Sequence, residues 1–295
     1  MLCVFSWSLC SQQHYSQPDC MPMKTEKETK EPEVIRKVVS KQKVSLRDTL
    51  NETFDLVLFS NYEECKGAPL VIGFGDIGIT PIITSNSIIE QLELSYIGVL
   101  INKQAAPASV ITGGQAMHPI RIFGNKEVMV IVADSKMDAK VSVDLVDSLV
   151  KLLPYLESKK VFCCEGAPTE TTEKMERKEL QFVTTSEETA DFLIGLNHKA
   201  LQEAVIAGIS GGVLAECTAI HANYDFDTCI FLAPTCSFYP DIWASVLIIQ
   251  TLSEMLQFKT DTSTLEKNAK KLEDKANELM GLHKGSAAMN SSLYM

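Results

Sequence analysis

The stretch Leu70-Val71-Ile72-Gly73-Phe74-Gly75-Asp76-Ile77-Gly78-Ile79-Thr80-Pro81 decides how this chain is read. Leu70 to Ile72 is an apolar run too short for a helix and closed by glycine, which is the pattern of a buried strand. The three glycines allow a turn that residues with a Cβ adopt only at a cost. Thr80 is a suitable helix N-cap, and Pro81 suits the first helical position, where its missing N–H removes no bond. The stretch therefore predicts strand, glycine turn and helix start. The same letters spell G-x-G-x-x-G, the fingerprint of dinucleotide-binding turns. That fingerprint needs an acidic residue about 20 positions on, at the end of the next strand, to hold a ribose hydroxyl. Here the next strand, Tyr96 to Ile101, ends in Asn102-Lys103. The spelling lacks its partner, so a tight strand-to-helix connection is the plainer reading of Gly73 to Gly78, with nucleotide binding as the alternative.

Outward from this stretch, strands and helices alternate. Structure is expected to begin near Val34 to Val39, with a firmer strand at Asp55 to Phe59. A helix runs to about Leu94, and Ser95 to Ile101 is the strand after it. Ile120 to Phe123 and Val128 to Ala133 flank Gly124-Asn125 as a β-hairpin. Apolar spacing (Val143, Val146, Leu149, Val150, Leu153) marks a helix over Val141 to Leu156, followed by a short strand at Val161 to Cys164. Gln181 to Thr185 is extended, and Ser186 caps a helix with acids in its first turn. Ala204 to Ile209 is read as a strand, Ser210 to Gly212 as a second glycine turn, and Val213 to Ala222 as a helix. The strand Thr228 to Ala233 leads to Pro240-Asp241, which opens an apolar helix over Ile242 to Leu256. Asp261 or Thr262 caps a charged last helix, Leu265 to Met280. Such alternation predicts a single α/β domain with a largely parallel sheet flanked by helices, an inserted β-hairpin and C-terminal helices. The expected division is 1–47 as a disordered N-terminal extension, 48–280 as the folded body and 281–295 as a flexible tail.

Of the 295 residues, 45% are hydrophobic, enough for a substantial core. No apolar run approaches a membrane span, and Met1 to Leu9 lacks the basic flank and small-residue cleavage site of a signal peptide. Residues 24 to 47 carry a net charge of +4, so the rest of the chain is strongly acidic against a total of −11. An acidic body argues against nucleic acid as a partner, and the basic stretch reads as a solvated extension. Nine cysteines occur with no C-x-x-C pair, which points to reduced, mostly buried thiols in an intracellular protein; the expected localisation is cytoplasmic, and also nuclear. Cys217 and His221 are two candidate ligands where a structural zinc site needs four. No metal, cofactor, nucleic acid or membrane is expected.

Gly208-Ile209-Ser210-Gly211-Gly212 spells G-x-S-x-G, the layout of a hydrolase nucleophile elbow. A serine hydrolase using Ser210 would need an acid and then a histidine further along. Asp225, Asp227 and Asp241 are available as acids. His221 follows too soon, and His283 lies in a Gly-Leu-His-Lys-Gly stretch that would hold a base poorly. A close strand–helix turn is the plainer reading here too. Either glycine turn could offer helix N–H groups to a phosphate, but neither carries the G-x-x-x-x-G-K-[ST] pattern of nucleotide hydrolysis.

The end of the chain carries a different signal. After the small, polar run Gly281 to Ser292 come Leu293, Tyr294 and Met295. A terminal carboxylate beside an aromatic suits a basic-lined pocket on a partner. The twelve residues before it reach at most about 40 Å.

Three segments together resemble the proteasome assembly chaperone 2 family, its archaeal-type members most of all. They are Gly73-Phe74-Gly75-Asp76-Ile77-Gly78, Ile206-Ala207-Gly208-Ile209-Ser210-Gly211-Gly212-Val213-Leu214-Ala215-Glu216, and Tyr239-Pro240-Asp241-Ile242-Trp243-Ala244-Ser245. The resemblance spans about residues 50 to 280, in the family's order. It implies a non-enzymatic chaperone that binds 20S proteasome α-subunits and promotes α-ring formation. Its partner would be a related assembly chaperone in a heterodimer, or itself in a homo-oligomer. It also implies that a hydrophobic–tyrosine–any-residue tail docks between neighbouring α-subunits. Leu293, Tyr294 and Met295 match that pattern: the carboxylate would pair with a pocket lysine, Tyr294 would position the turn and Leu293 would fill an apolar niche. The basic N-terminal extension has no counterpart in the family pattern.

Overall fold

Ten strands form one sheet in the computed structural model, which describes residues 42–74, 79–105, 107–112, 114–133, 139–169, 179–224, 226–236 and 240–270. The chain enters at an edge. β1 (Val44–Thr49) pairs antiparallel with β2 (Phe54–Phe59). Regular structure thus starts before the expected boundary at 48, while Val34 to Val39 lies outside the described residues. A short 3-10 segment, Ser60–Cys65, leads to β3 (Leu70–Phe74), which is buried at all five positions. A strand covered on both faces needs a continuous apolar run rather than alternation. That is why Leu70 to Phe74 reads as it does.

Helix α1 (Thr80–Gln91) follows β3, with Pro81 in its first turn. Its cap differs from expectation. Ile79, in a left-handed conformation (φ 50°), holds the cap position without a side-chain bond, and Thr80 is already helical. β4 (Ser95–Asn102) then pairs antiparallel with β2. A small hairpin of β5 (Val110–Thr112) and β6 (Gln115–Met117) precedes the main hairpin, β7 (Ile120–Gly124) and β8 (Met129–Ala133). Asn125 closes that turn, its side-chain oxygen accepting from Glu127 N (2.8 Å) and Val128 N (2.9 Å). Helix α2 (Ala139–Leu156) crosses to β9 (Lys160–Thr169). β10 (Gln181–Thr184), α3 (Glu187–Gly195) and β11 (Lys199–Ala200) come next. Ser186 caps α3 as expected, accepting from Thr189 N at 3.2 Å.

The predicted strand over Ala204 to Ile209 does not form. Residues 201–207 have no regular structure, and helix α4 (Gly208–Tyr224) begins where the strand was to end. Val205 is 95% exposed, whereas a buried strand would cover it. The short apolar run is instead the lead-in to a helix that folds back on it. β12 (Asp227–Cys236) and α5 (Ile242–Leu256) complete the core. Helix α6, residues 263–270, begins as expected beside Asp261, whose Oδ1 accepts from Ser263 N (2.9 Å).

The strand order is β1-β2-β4-β7-β8-β3-β9-β12-β10-β11. The parallel part is the centre, β8-β3-β9-β12, with antiparallel strands on either side and a short parallel pair, β10–β11, at the edge. Helices cover both faces. Leu145, Leu149, Leu152 and Leu156 of α2 join Val213 and Cys217 of α4 on one. Ile88 of α1, Leu193 of α3 and Ile248, Ile249 and Leu252 of α5 join on the other. Each such side chain contributes roughly 1.5–3 kcal/mol by leaving water. The core stripe of α2 bypasses Val143, which is exposed. No helix among the described residues is long and apolar enough to cross a membrane.

Candidate functional site

In open α/β sheets, ligands and partners meet the rim beyond the carboxyl ends of the parallel strands. Here β3, β8, β9 and β12 end at one rim, and α1, α2 and α5 start from it. The pairing register opens the sheet there. Leu70 to Ile72 pair with both β8 and β9, but Gly73 and Phe74 pair with β8 alone, while β9 continues beside β12 to Thr169. Pro168 and Pro234 are tolerated in that extension because each strand has lost its other neighbour.

Polar side chains fill both sides of the opening. On the α4 side, the Ser210 hydroxyl donates to the Glu165 carboxylate, and Ser210 is 3% exposed. On the other side, Thr235 donates to the Ala233 carbonyl (2.8 Å), so the Thr80 hydroxyl is the donor across the 3.4 Å to Thr235. The Ser245 hydroxyl lies 3.2 Å from both the Thr80 and the Asp241 carbonyl oxygens. Asp241 caps α5 from Ala244 N (3.1 Å) and also accepts from Cys236 N (2.7 Å). Thr80, Thr235, Asp241 and Ser245 are fully buried. These bonds join β9 to α4, β12 to α1 and α1 to α5. They are a clasp between elements.

The two glycine turns are close-packing points. A Cβ on Gly73 would lie 1.7 Å from Ser85 Oγ and 2.8 Å from the Pro81 carbonyl oxygen. Gly73 therefore lets α1 lie directly on β3. Gly75 to Gly78 lie outside the described residues. Topology also speaks against the dinucleotide alternative: the strand after α1 should sit beside β3 in parallel. β4 instead stands three positions away, beyond β8 and β7. Asn102 at its end accepts from Gln104 N and Ala105 N, closing a turn.

Ser210 sits in the first turn of α4 rather than on a strained strand-to-helix elbow. A Cβ on Gly211 would lie 2.0 Å from the Ile206 carbonyl oxygen, and one on Gly212 would lie 2.7 Å from Val146 Cγ2 of α2. His221, eleven residues further along the same helix, stands about 16 Å down its axis. His118 approaches Ile120 O (3.3 Å), and His198 bonds Thr251 and Leu180 on the opposite face of the sheet. His283 and Asp225 lie outside the described residues. Asp227 accepts from Thr184 and Thr189. Among the described residues no acid–histidine pair is brought to Ser210. The Glu165 charge at the start of α4 also repels an anion from that helix terminus.

Buried thiols match the sequence expectation. Cys65, Cys163, Cys164, Cys217, Cys229 and Cys236 are free and buried. Burial pushes Cys65 up to about 11, and Cys163 and Cys229 well above the ordinary thiol value, so their reactive thiolate is suppressed. No group of three or more metal-ligating side chains occurs among the described residues. Leu293, Tyr294 and Met295 lie outside them.

The rim is more notable for apolar surface. Ile79 precedes α1, Ile111 lies on the β5–β6 hairpin between the end of β4 and the start of β7, and Val143 lies near the start of α2. All three are exposed.

The family model of the PAC2 family matches residues 70–280. An uncharacterized protein, MJ0106, of Methanocaldococcus jannaschii is 25% identical over 217 residues, spanning 73% of this chain and 87% of that one. Two solved structures of Pyrococcus furiosus proteins share the fold. One is PbaA, described as an archaeal homolog of proteasome-assembly chaperone, at TM-score 0.69 and 22% identity, covering 82% of this chain and 98% of PbaA. The other is PbaB, described as an archaeal proteasome activator, at TM-score 0.66 and 12% identity, covering 78% of this chain and all of PbaB (100%). With its model matched from β3 through the last described helix, the chain belongs to the PAC2 family.

Proposed function

We propose that the chain is a non-enzymatic proteasome assembly chaperone that binds 20S α-subunits and promotes α-ring formation. Leu293, Tyr294 and Met295 dock between neighbouring α-subunits, with the terminal carboxylate on a pocket lysine. It acts in the cytoplasm and nucleus, with a related chaperone or a second copy of itself. The observation that carries this reading is membership of the PAC2 family in a chain that ends in hydrophobic–Tyr–X. Support also comes from the two glycine motifs: each packs a helix against its neighbours, and among the described residues neither gathers a catalytic set.

Affinity purification of the full chain from cells, with mass spectrometry, tests the class: α-subunits are expected among the partners, and their absence overturns the reading. The hydrolase alternative predicts that Ser210 labels with a fluorophosphonate probe; the chaperone reading predicts no label.

A further inference from the structure

Among the described residues, β5 and β6 form a two-stranded sheet of their own, separate from the ten-stranded one. The hairpin sits at the carboxyl rim, and its opposed pairs are Val110–Met117, Ile111–Ala116 and Thr112–Gln115. Side chains alternate between its two faces. Val110 and Met117 share a half-buried face, and Met117 packs against the core beneath α1 and α5. Ile111 and Ala116 share the other, which is open, with Ile111 65% exposed. A lone pair of strands is marginal in water; three or more are needed for independent stability.

The hairpin's edges also lack the usual protection. Exposed edges are ordinarily blunted by charge, by a bulge or by shortness. The large sheet follows that rule: β1 carries Arg47 and Asp48 and shifts register between Val44 and Leu46, and β11 is two residues long, one of them Lys199. By contrast, residues 104–120 hold no Asp, Glu, Lys or Arg in a chain where 22% of residues are charged. The register of β5 on β6 is unbroken. Of these two strands β5 is the stronger strand former, since Val110, Ile111 and Thr112 are all β-branched.

Two residues, Gly113 and Gly114, separate Thr112 from Gln115. A connection of that length closes on a hydrogen-bonded pair, and bonded and non-bonded pairs alternate along an antiparallel ladder. Thr112–Gln115 is then bonded and Ile111–Ala116 is not, so the N–H and C=O of Ile111 point outward along the open side of β5. We infer that two copies of the chain pair antiparallel through β5 about a two-fold axis at Ile111, making a four-stranded sheet in the order β6-β5-β5-β6. The occupant is a second copy because the edge is complementary to itself. Each Ile111 supplies the donor and the acceptor that the other Ile111 needs, Val110 meets Thr112, and no like charges come opposite. Bodies of net charge −11 repel one another, and an uncharged edge lets two of them meet without adding to that repulsion. The contact is isologous and stops at two copies. It supplies the surface for the second-copy form of the proposed chaperone but rests on the hairpin alone.

The test is sedimentation velocity on the full chain, without α-subunits, over a concentration series at low and high salt, with melting curves alongside. The chain is expected to pass from monomer to dimer, and more readily at high salt, where repulsion between the bodies is screened. Ile111→Lys and Ile111→Asp each set a like charge opposite itself, and each should weaken dimerisation about tenfold or more while the chain stays folded. Mixing the two variants should restore a dimer with one copy of each. Val205→Lys, at an exposed aliphatic outside the hairpin, should leave dimerisation unchanged. A full chain that stays monomeric throughout, a dimer that survives both Ile111 variants, equal weakening by Val205→Lys, or a mixture that fails to associate would overturn the proposal. Because α-subunits are absent, these outcomes are read independently of proteasome capture.

Discussion

The glycine corner at Gly73 and the one at Gly211-Gly212 bear the spelling of two different chemistries yet do the same physical work by different contacts. At Gly73 the missing side chain makes room chiefly for a hydroxyl, Ser85 Oγ, on the next helix. At Gly211 it makes room for the carbonyl of Ile206, which belongs to the lead-in of the same helix, and at Gly212 for Val146 on α2. A side chain can rotate away and a carbonyl in a tight reversal cannot. The two corners should therefore fail differently, and neither failure should look like lost chemistry.

The largest effect is expected at the backbone contact. Gly211→Ala places a Cβ 2.0 Å from the Ile206 oxygen, and overpacking without a yielding neighbour should cost about 3 kcal/mol or more in chemical denaturation. Gly212→Ala meets the Val146 side chain first, with Cγ2 at 2.7 Å and Cγ1 at 3.2 Å, and should cost about 1–2 kcal/mol, recovered in part by Val146→Ala. If the two alanine variants are equally stable, the distinction between backbone and side-chain contact fails.

Gly73→Ala comes between them, at about 2–3 kcal/mol. Removing both Ser85 atoms that the new Cβ would meet leaves the Pro81 carbonyl, at 2.8 Å, as its nearest neighbour. Gly73→Ala/Ser85→Gly should therefore be less destabilised than the sum of its parts, a coupling that a double-mutant cycle reads directly. Strict additivity would mean that α1 does not rest on β3 through this pair.

The smallest effect tests a polar seam away from both corners. Leu180 N donates to His198 Nδ1 (3.4 Å), which leaves Nε2 to donate to Thr251 (3.0 Å). Burial holds this imidazole below its ordinary value, with Glu254 and Glu179 pulling weakly the other way. The unfolded chain then binds the proton more readily than the folded one, so stability is present at neutral pH and is lost as pH falls below about 6.5. His198→Gln should flatten that limb of the stability–pH curve. An unchanged curve would remove His198 as its source.

Much of the fold was legible because it rests on local signals. The buried run at Leu70 to Ile72, the Asn125 turn, the Ser186 cap and the opening of α5 at Asp241 are each written in a few adjacent residues. Failures came where distant parts decide. Ala204 to Ile209 has the letters of a strand, but Gly211 draws α4 back onto Ile206, so the segment becomes an exposed lead-in. β1 is held by its pairing with β2, and no apolar alternation announces it. The antiparallel flanks of the sheet depend on strand order, which no single stretch encodes. The clasp at the carboxyl rim was illegible for the same reason: Ser245 meets Thr80 across 165 positions, and Ser210 meets Glu165 across 45. Leu293, Tyr294 and Met295 were singled out by position and type alone, and they remain the proposed contact with the proteasome.

Reconstitution of α-rings from purified α-subunits, followed by native mass spectrometry, tests that division of labour most directly. The full chain and a chain ending at Ser292 are compared at equal concentration, with their melting curves alongside. The expected result is that the full chain forms complexes with α-subunits and speeds ring formation, while the shortened chain melts at the same temperature but captures them weakly. Equal capture and equal ring formation by both chains would contradict it.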